Sequence, residues 1–343
     1  MTVTMKDVAR GLGVSVVTVS KVLRNHADIS VETRKRVQQR IKELNYQPNP
    51  AARALVTGKT NLIGLIVPDL VHPFFAQVAR AISTGLRSQE YGLIIASSED
   101  DFGLERREID QMLGRRVDAI ILASTQTSSE NVRRIEDRHV PYVLLDRKII
   151  GVDSNFVGID DVKAGSMATS HLIEIGCKRI AHLAGSGVST AFDRQTGYST
   201  TLARRGLSMP PEYIVRYGSG DDSGDTAGYQ GMKRLLSLDP VPDGIFACND
   251  PIAMGAMRAI LEKGLRIPED IAIVGCGNVH YDDLLRVPLT SIDQDSDGLG
   301  TSAARLAMSI VKRKTKASPK TLLQNAKLIV RASTQRSSVA SVK

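Results

Sequence analysis

Thr4-Met5-Lys6-Asp7-Val8-Ala9-Arg10-Gly11-Leu12-Gly13-Val14-Ser15-Val16-Val17-Thr18-Val19-Ser20-Lys21-Val22-Leu23 is the stretch from which this chain of 343 residues is read. Thr4 with Asp7 three residues on has the pattern of a helix capping box. Gly13 supplies the positive φ with which a chain leaves a helix. Ser15 is then placed to cap a second helix reaching about Leu23. On that helix Val19, Val22 and Leu23 share one face at i, i+3 and i+4, the spacing of a buried stripe. Val16, Val17, Ser20 and Lys21 lie on the other face. A third helix follows, with Ser30 as its cap and Val37, Ile41 and Leu44 as its core stripe. Two short helices joined by a tight turn, with a third behind them, form a small helical head.

Charge says what such a head is for. Residues 1–60 carry 11 Lys and Arg against 4 Asp and Glu, a net of +7, while the whole chain is +8. Concentrated positive charge on a small patterned domain fits a polyphosphate partner. In a helix-turn-helix the start of the second helix enters the major groove. There Lys21 can donate to guanine acceptors, whereas Val16 and Val17 can touch only apolar features such as a thymine methyl. Arg24, Asn25, Thr33 and Arg34 are placed for phosphate contacts, which position a head without reading sequence. The plainer alternative is a helical bundle with a solvated basic face.

Working outward, Asn45-Tyr46-Gln47-Pro48-Asn49-Pro50-Ala51-Ala52-Arg53-Ala54-Leu55 comes next. Asn49 suits a helix cap and Pro50 a first helical position, yet the segment is too short to be stably helical alone. From Met5 to Leu55 the chain resembles the lactose-repressor (LacI/GalR) family of bacterial transcription regulators. The matches are Asp7-Val8-Ala9, Gly13-Val14-Ser15, Thr18-Val19-Ser20, Leu44 to Asn49, and Ala52-Arg53-x-Leu55. The resemblance implies a hinge helix that forms on the operator, with Leu55 of each subunit wedged into the minor groove; a buried linker residue is the alternative for Leu55. The DNA-contacting set is then Thr4, Ser15, Val16, Val17, Thr18, Ser20, Lys21, Arg24, Asn25, Thr33, Arg34, Asn49, Ala52, Arg53 and Leu55.

Beyond Asn61 apolar runs alternate with amphipathic stretches: Leu62 to Val67, a helix from about Phe74 to Ser88, Leu93 to Ala96, then Ala119 to Ala123 and onward. That beat predicts parallel sheets covered on both faces, and roughly 280 residues is too many for one core. The expected fold is a small all-α helix-turn-helix head followed by an α/β domain of two doubly wound parallel-sheet subdomains. Its divisions are 1–46 for the head, 47–60 for the hinge helix and linker, and 61–343 for the rest. Within the rest, roughly 61–160 with 293–321 make one subdomain and 161–292 with 322–343 the other.

This region resembles the effector domain of the same family, itself similar to periplasmic sugar-binding proteins. Among the carriers are His171 to Gly176, Asn249 to Ala256, Gly264 to Asp270 and Pro288 to Ile292. The resemblance implies three crossings between subdomains and a ligand in the cleft, at the carboxyl ends of strands. Strand ends then nominate Phe74, Phe75, Asp100, Asp146, Arg147, Arg194, Asn249 and Gln294. Aromatic faces and paired donors are what a sugar needs. Gly277 departs from the pattern, standing where the relatives carry a hydroxyl-binding Asp. With two arginines nearby, that tilts the expectation toward an acid sugar or a sugar phosphate.

No apolar run suits a signal peptide or a membrane span, so a cytoplasmic protein is expected. Cys177, Cys248 and Cys276 lack C-x-x-C spacing, and neither they nor the six histidines make a metal site. No metal or cofactor is expected. An enzyme is the main rival, but Gly275-x-Gly277 lacks the third glycine of a dinucleotide fingerprint and no G-x-S-x-G elbow occurs. The expectation is a homodimer, or a higher assembly, that binds a pseudo-palindromic double-stranded operator, most simply as a repressor, under control of a sugar-like effector. Its alternatives are a regulator whose effector is not a sugar, or an α/β enzyme fused to a DNA-binding head.

Overall fold

The structure is a computed structural model describing residues 3–23, 25–47, 54, 57–125, 128–185, 187–216, 224–313 and 318–336. It divides into two compact units, Met1–Thr60 and Asn61–Lys343.

The first unit holds α1 (Met5–Leu12), α2 (Val16–Leu23) and α3 (Val31–Glu43). Each start is capped as its sequence indicates. The Thr4 backbone N–H donates to the Asp7 carboxylate at 2.9 Å, and Ser15 Oγ accepts from the Thr18 N–H at 3.0 Å. Ser30 Oγ accepts from the Thr33 N–H at 3.3 Å, and Gly13 closes α1 at φ +67. Val8, Ala9, Val19, Val22, Val37 and Tyr46 form the core, with Ile41 and Leu44 packed against it. Leu23 is a correction. It stands 36% exposed, since α2 ends there and the chain turns away through Asn25 at φ +58.

The second unit carries two six-stranded sheets. The first runs β2 (Gly92–Ser97), β1 (Leu62–Val67), β3 (Ala119–Leu122), β4 (Tyr142–Leu145), β5 (Phe156–Ile159) and β11 (Thr321–Gln324), all parallel. The second runs β7 (Ile214–Arg216), β6 (Ile180–Ala184), β8 (Gly244–Ala247), β9 (Ala272–Gly277), β10 (Thr290–Asp293) and β12 (Lys327–Ile329), with β12 antiparallel. Alternation along each strand sends neighbouring residues to opposite faces. Ile63, Leu65 and Val67 pack under α4 (Pro73–Arg87) and α11 (Ser296–Val311). Ile66 and Leu122 pack against α5 (Phe102–Gly114) and α6 (Glu130–Asp137). In the second sheet Leu183 and Ile245 meet α9 (Asp225–Leu235) and α10 (Asp250–Glu262), while Phe246 and Val274 meet α7 (Asp161–Glu174) and α8 (Ser189–Arg204).

The chain passes between sheets three times: after β5, after β10, and between β11 and β12. The last crossing lies later than the sequence division placed it. Thr321–Gln324 pairs in parallel with Phe156–Ile159, so residues 322–324 belong to the first sheet and not to the second subdomain. Both sheets reverse their strand order at one point, between β1 and β3 and between β6 and β8. Such switch points leave a crevice at the carboxyl ends of the strands.

Candidate nucleic-acid interface and ligand cleft

On the head, every described residue expected at DNA lies outside the core. Val17 is 62% exposed and Val16 39% exposed on the outer side of α2. That is an unfavourable place for two valines unless something covers them. Lys21, on the same face, is held by Asp28 at 2.5 Å. Arg34 donates to the Asn25 side chain and, at 2.6 Å, to the His26 carbonyl, so it fixes the α2–α3 loop before any phosphate is present. Thr4 Oγ donates to Asp7 at 2.6 Å and is likewise engaged. Arg24, Asn49, Ala52, Arg53 and Leu55 lie outside the described residues.

In the second unit several nominated strand-end residues are brought together, Arg147 with Asp100, Asp146 and Phe75, and Arg194 with Gln294. Arg194 is 6% exposed and reaches three acceptors: Asp161 Oδ1 at 2.8 Å, the Cys248 carbonyl at 2.6 Å and Gln294 Oε1 at 3.0 Å. Arg147 donates to Asp100 at 2.7 Å, lies 4.0 Å from the Asp146 carboxylate and stands over the Phe75 ring at 5.9 Å. Asp100 and Asp146 hold φ of +51 and +63, in the left-handed region that Asp adopts more readily than most residues. Phe74 and Phe75 pack edge to face at 5.1 Å and also belong to the first subdomain's core. Asn249 uses Oδ1 to cap α10, accepting from the Ile252 N–H at 3.0 Å, which leaves its amide donors for other work.

Gly277 has a local reason to be glycine. Its φ is +145, and a Cβ there would come 2.7 Å from an oxygen of Asp250. Asp250, fully buried, accepts from Ser291 Oγ at 2.6 Å and from the Val279 N–H at 3.1 Å. The space a residue-277 carboxylate would need is filled by Asp250.

Burial dominates the electrostatics. It pushes the Asp161 carboxyl up to about 7 against the pull of Arg194, and raises Asp146 against both arginines. Burial also drives the His72 imidazole down to about 4, so that ring is neutral at pH 7.

Residues 4–49 match the model of bacterial regulatory proteins, lacI family, and residues 60–332 that of periplasmic binding proteins and sugar binding domain of LacI family. The chain belongs to the lacI family. The HTH-type transcriptional repressor PurR of Pasteurella multocida (strain Pm70) is 32% identical to this lacI-family chain over 315 residues, covering 91% of it and 93% of the relative. The ribose operon repressor of Halalkalibacterium halodurans is 34% identical over 312 residues, covering 91% of each. Among solved structures, the lac repressor dimer bound to operator and the anti-inducer ONPF superposes with a TM-score of 0.85 at 26% identity, covering 97% of this chain and 99% of that one. The complex of the transcriptional regulator CelR with cellobiose gives 0.74 at 28% identity, covering 96% and 99%. This lacI-family chain is a DNA-binding transcriptional regulator under small-molecule control, not an enzyme.

Three residues in contact with this set or next to it were not singled out in the sequence. His72 precedes the Phe pair, and its buried Nδ1 has no partner among the described residues. Asp161 opens α7 immediately after the first crossing. Ser189, at the start of α8, accepts from the Lys148 backbone N–H at 2.8 Å, a bond that ties one subdomain to the other. An Asp at a helix start reads as a capping residue, and a His beside two Phe reads as core. Only the fold shows where each points.

Proposed function

We propose that this regulator binds a pseudo-palindromic operator as a homodimer in the cytoplasm. Residues 1–46 are the reading head, 47–60 the hinge helix and linker, and the remainder the effector and dimerisation domain. The dimer reading is supported by the uncapped edge strand β2 with half-exposed Ile95, and by Leu70 and Val71 at 50% and 87% exposure. An apolar edge strand invites pairing or covering. In the hinge, replacing Leu55 by Ala is expected to weaken operator binding and reduce bending while ligand binding persists. Equal bending in a gel phasing assay would remove the wedge role.

The effector this cleft fits best is an uncharged hydroxylated molecule, a sugar or sugar derivative. One observation carries that reading: both guanidinium groups already bond a carboxyl group within the protein, Arg147 that of Asp100 and Arg194 that of Asp161. A phosphate or carboxylate would have to displace these carboxylates and then sit beside Asp146. Neutral hydroxyls can instead accept from the arginines' remaining N–H groups and donate to the carboxylates. Gly277 and the two arginines tilt the sequence reading toward an anion; the pairing of each arginine with a carboxyl group is what weighs against it. A thermal-shift panel of neutral sugars, acid sugars, sugar phosphates, nucleobases and amino acids tests the assignment. Stabilisation by neutral sugars, with release or tightening of DNA by the same compound, is expected. Response to nucleobases or amino acids alone would overturn it.

A further inference from the structure

We propose that Asp28 is a specificity-determining residue of the head: it keeps the Lys21 ammonium off the phosphate backbone, so that Lys21 is offered to a base edge. The inference rests on Lys21 lying at the reading face, as argued above.

Asp28 is an acid in a head whose partner is a polyanion, so its presence needs an account. The other acids have structural work or lie away from the reading helix. Asp7 binds Thr4 at the start of α1, Glu43 pairs with Arg40 at 3.0 Å, and Glu32 stands in the first turn of α3, where a helix favours negative charge. Asp28 alone among them grips a side chain of the reading helix, at 2.5 Å from Lys21 Nζ. That hydrogen bond holds its carboxyl below the usual range, so it stays ionised.

The grip is well placed because the loop beneath it is fixed. Arg34 binds Asn25 and the His26 carbonyl, and the His26 N–H donates to the Lys21 carbonyl at 3.0 Å. An exposed ion pair of this kind adds little to stability. Its consequence is positional. A free ammonium is a flexible point charge that accepts any phosphate, and phosphate contacts carry no sequence information. Beside Asp28 the ammonium is screened from phosphates by a charge that repels them. Guanine O6 and N7 on the groove floor remain within its reach.

The test uses the full chain. Selection from random-sequence duplexes yields its preferred site, and a random-sequence duplex serves as the non-specific probe. In Asp28→Asn the freed Lys21 should add a phosphate contact. Non-specific affinity should then rise several-fold, and the slope of log K against log salt should steepen by about 0.9 per head. Base preference should flatten at one symmetric pair of positions.

Glu32→Gln removes the same charge from an exposed site. It should raise non-specific affinity without flattening any position. With Lys21 already replaced by Ala, Asp28→Asn should change no preference at all. An unchanged preference and slope in Asp28→Asn would overturn the proposal. So would the same flattening in Glu32→Gln, or a lowered melting temperature with both affinities falling together, which would mark Asp28 as a structural residue.

Discussion

Arg194 serves the cleft and the fold together, and that changes what its removal means. Asp161 is 5% exposed and its described hydrogen-bonding partner is Arg194. Truncating Arg194 leaves the buried Asp161 carboxyl without its partner, at a cost of about 1–3 kcal/mol. Arg194→Ala should therefore lower the melting temperature as well as abolish the effector response. Arg194→Ala with Asp161→Asn should regain most of the stability and none of the response, which separates the two roles in one pair of melts. Asp282 is the second residue of this kind. It is fully buried, and burial together with neighbouring Asp250 pushes it up to about 9 despite Arg331 at 3.9 Å. Its folded value lies above the ordinary one near 4, so the folded chain keeps a proton that the unfolded chain releases. Stability from this group is full at low pH and falls as pH rises from about 4 toward 9. Asp282→Asn keeps the shape without the titration. It should stabilise the chain by about 1–3 kcal/mol at pH 8 and progressively less toward pH 5, read by thermal melts across that range. Equal melting temperatures at pH 8 would contradict the buried-carboxyl account.

At the scale of elements, the helix pairs of the second sheet lock through reciprocal glycines. A Cβ on Gly228 of α9 would come 2.0 Å from the Ile252 carbonyl, and one on Gly255 of α10 would come 1.8 Å from the Asp225 carbonyl. Gly165 of α7 and Gly197 of α8 meet in the same manner, at 2.1 Å from the Arg194 and Val162 carbonyls. Backbones this close leave no room for a methyl group. Gly255→Ala should thus cost about 1–3 kcal/mol or more. Gly114→Ala, with nothing within 4 Å, should be neutral or slightly stabilising, and chemical denaturation distinguishes them. None of these glycines announced itself in sequence, because close approach is a property of two helices and not of one. Strands show the same divide. The apolar runs of β1, β3, β8 and β9 were legible because both faces of a central strand are buried. Strands β7, β11 and β12 sit at sheet edges, where burial is partial and the apolar pattern is broken. The helix caps at Thr4, Ser15 and Ser30 were legible because a cap is a local bargain between neighbours. The partners of Arg147 and Arg194 were not, since Asp100 and Asp161 lie 47 and 33 residues away.

For the whole molecule, the chain crosses between the two subdomains three times, and the Lys148–Ser189 bond also joins them. A ligand changes DNA binding only through its differential affinity for more open and more closed arrangements. We propose that the +7 head reads sequence as a symmetric dimer. Selection of random-sequence duplexes by the purified full chain, followed by sequencing of the bound pool, tests that claim directly. Enrichment of one palindromic family of sites is expected, with affinity falling steeply as salt rises. A bound pool with no enriched sequence, or one enriched only in sites without two-fold symmetry, would contradict it.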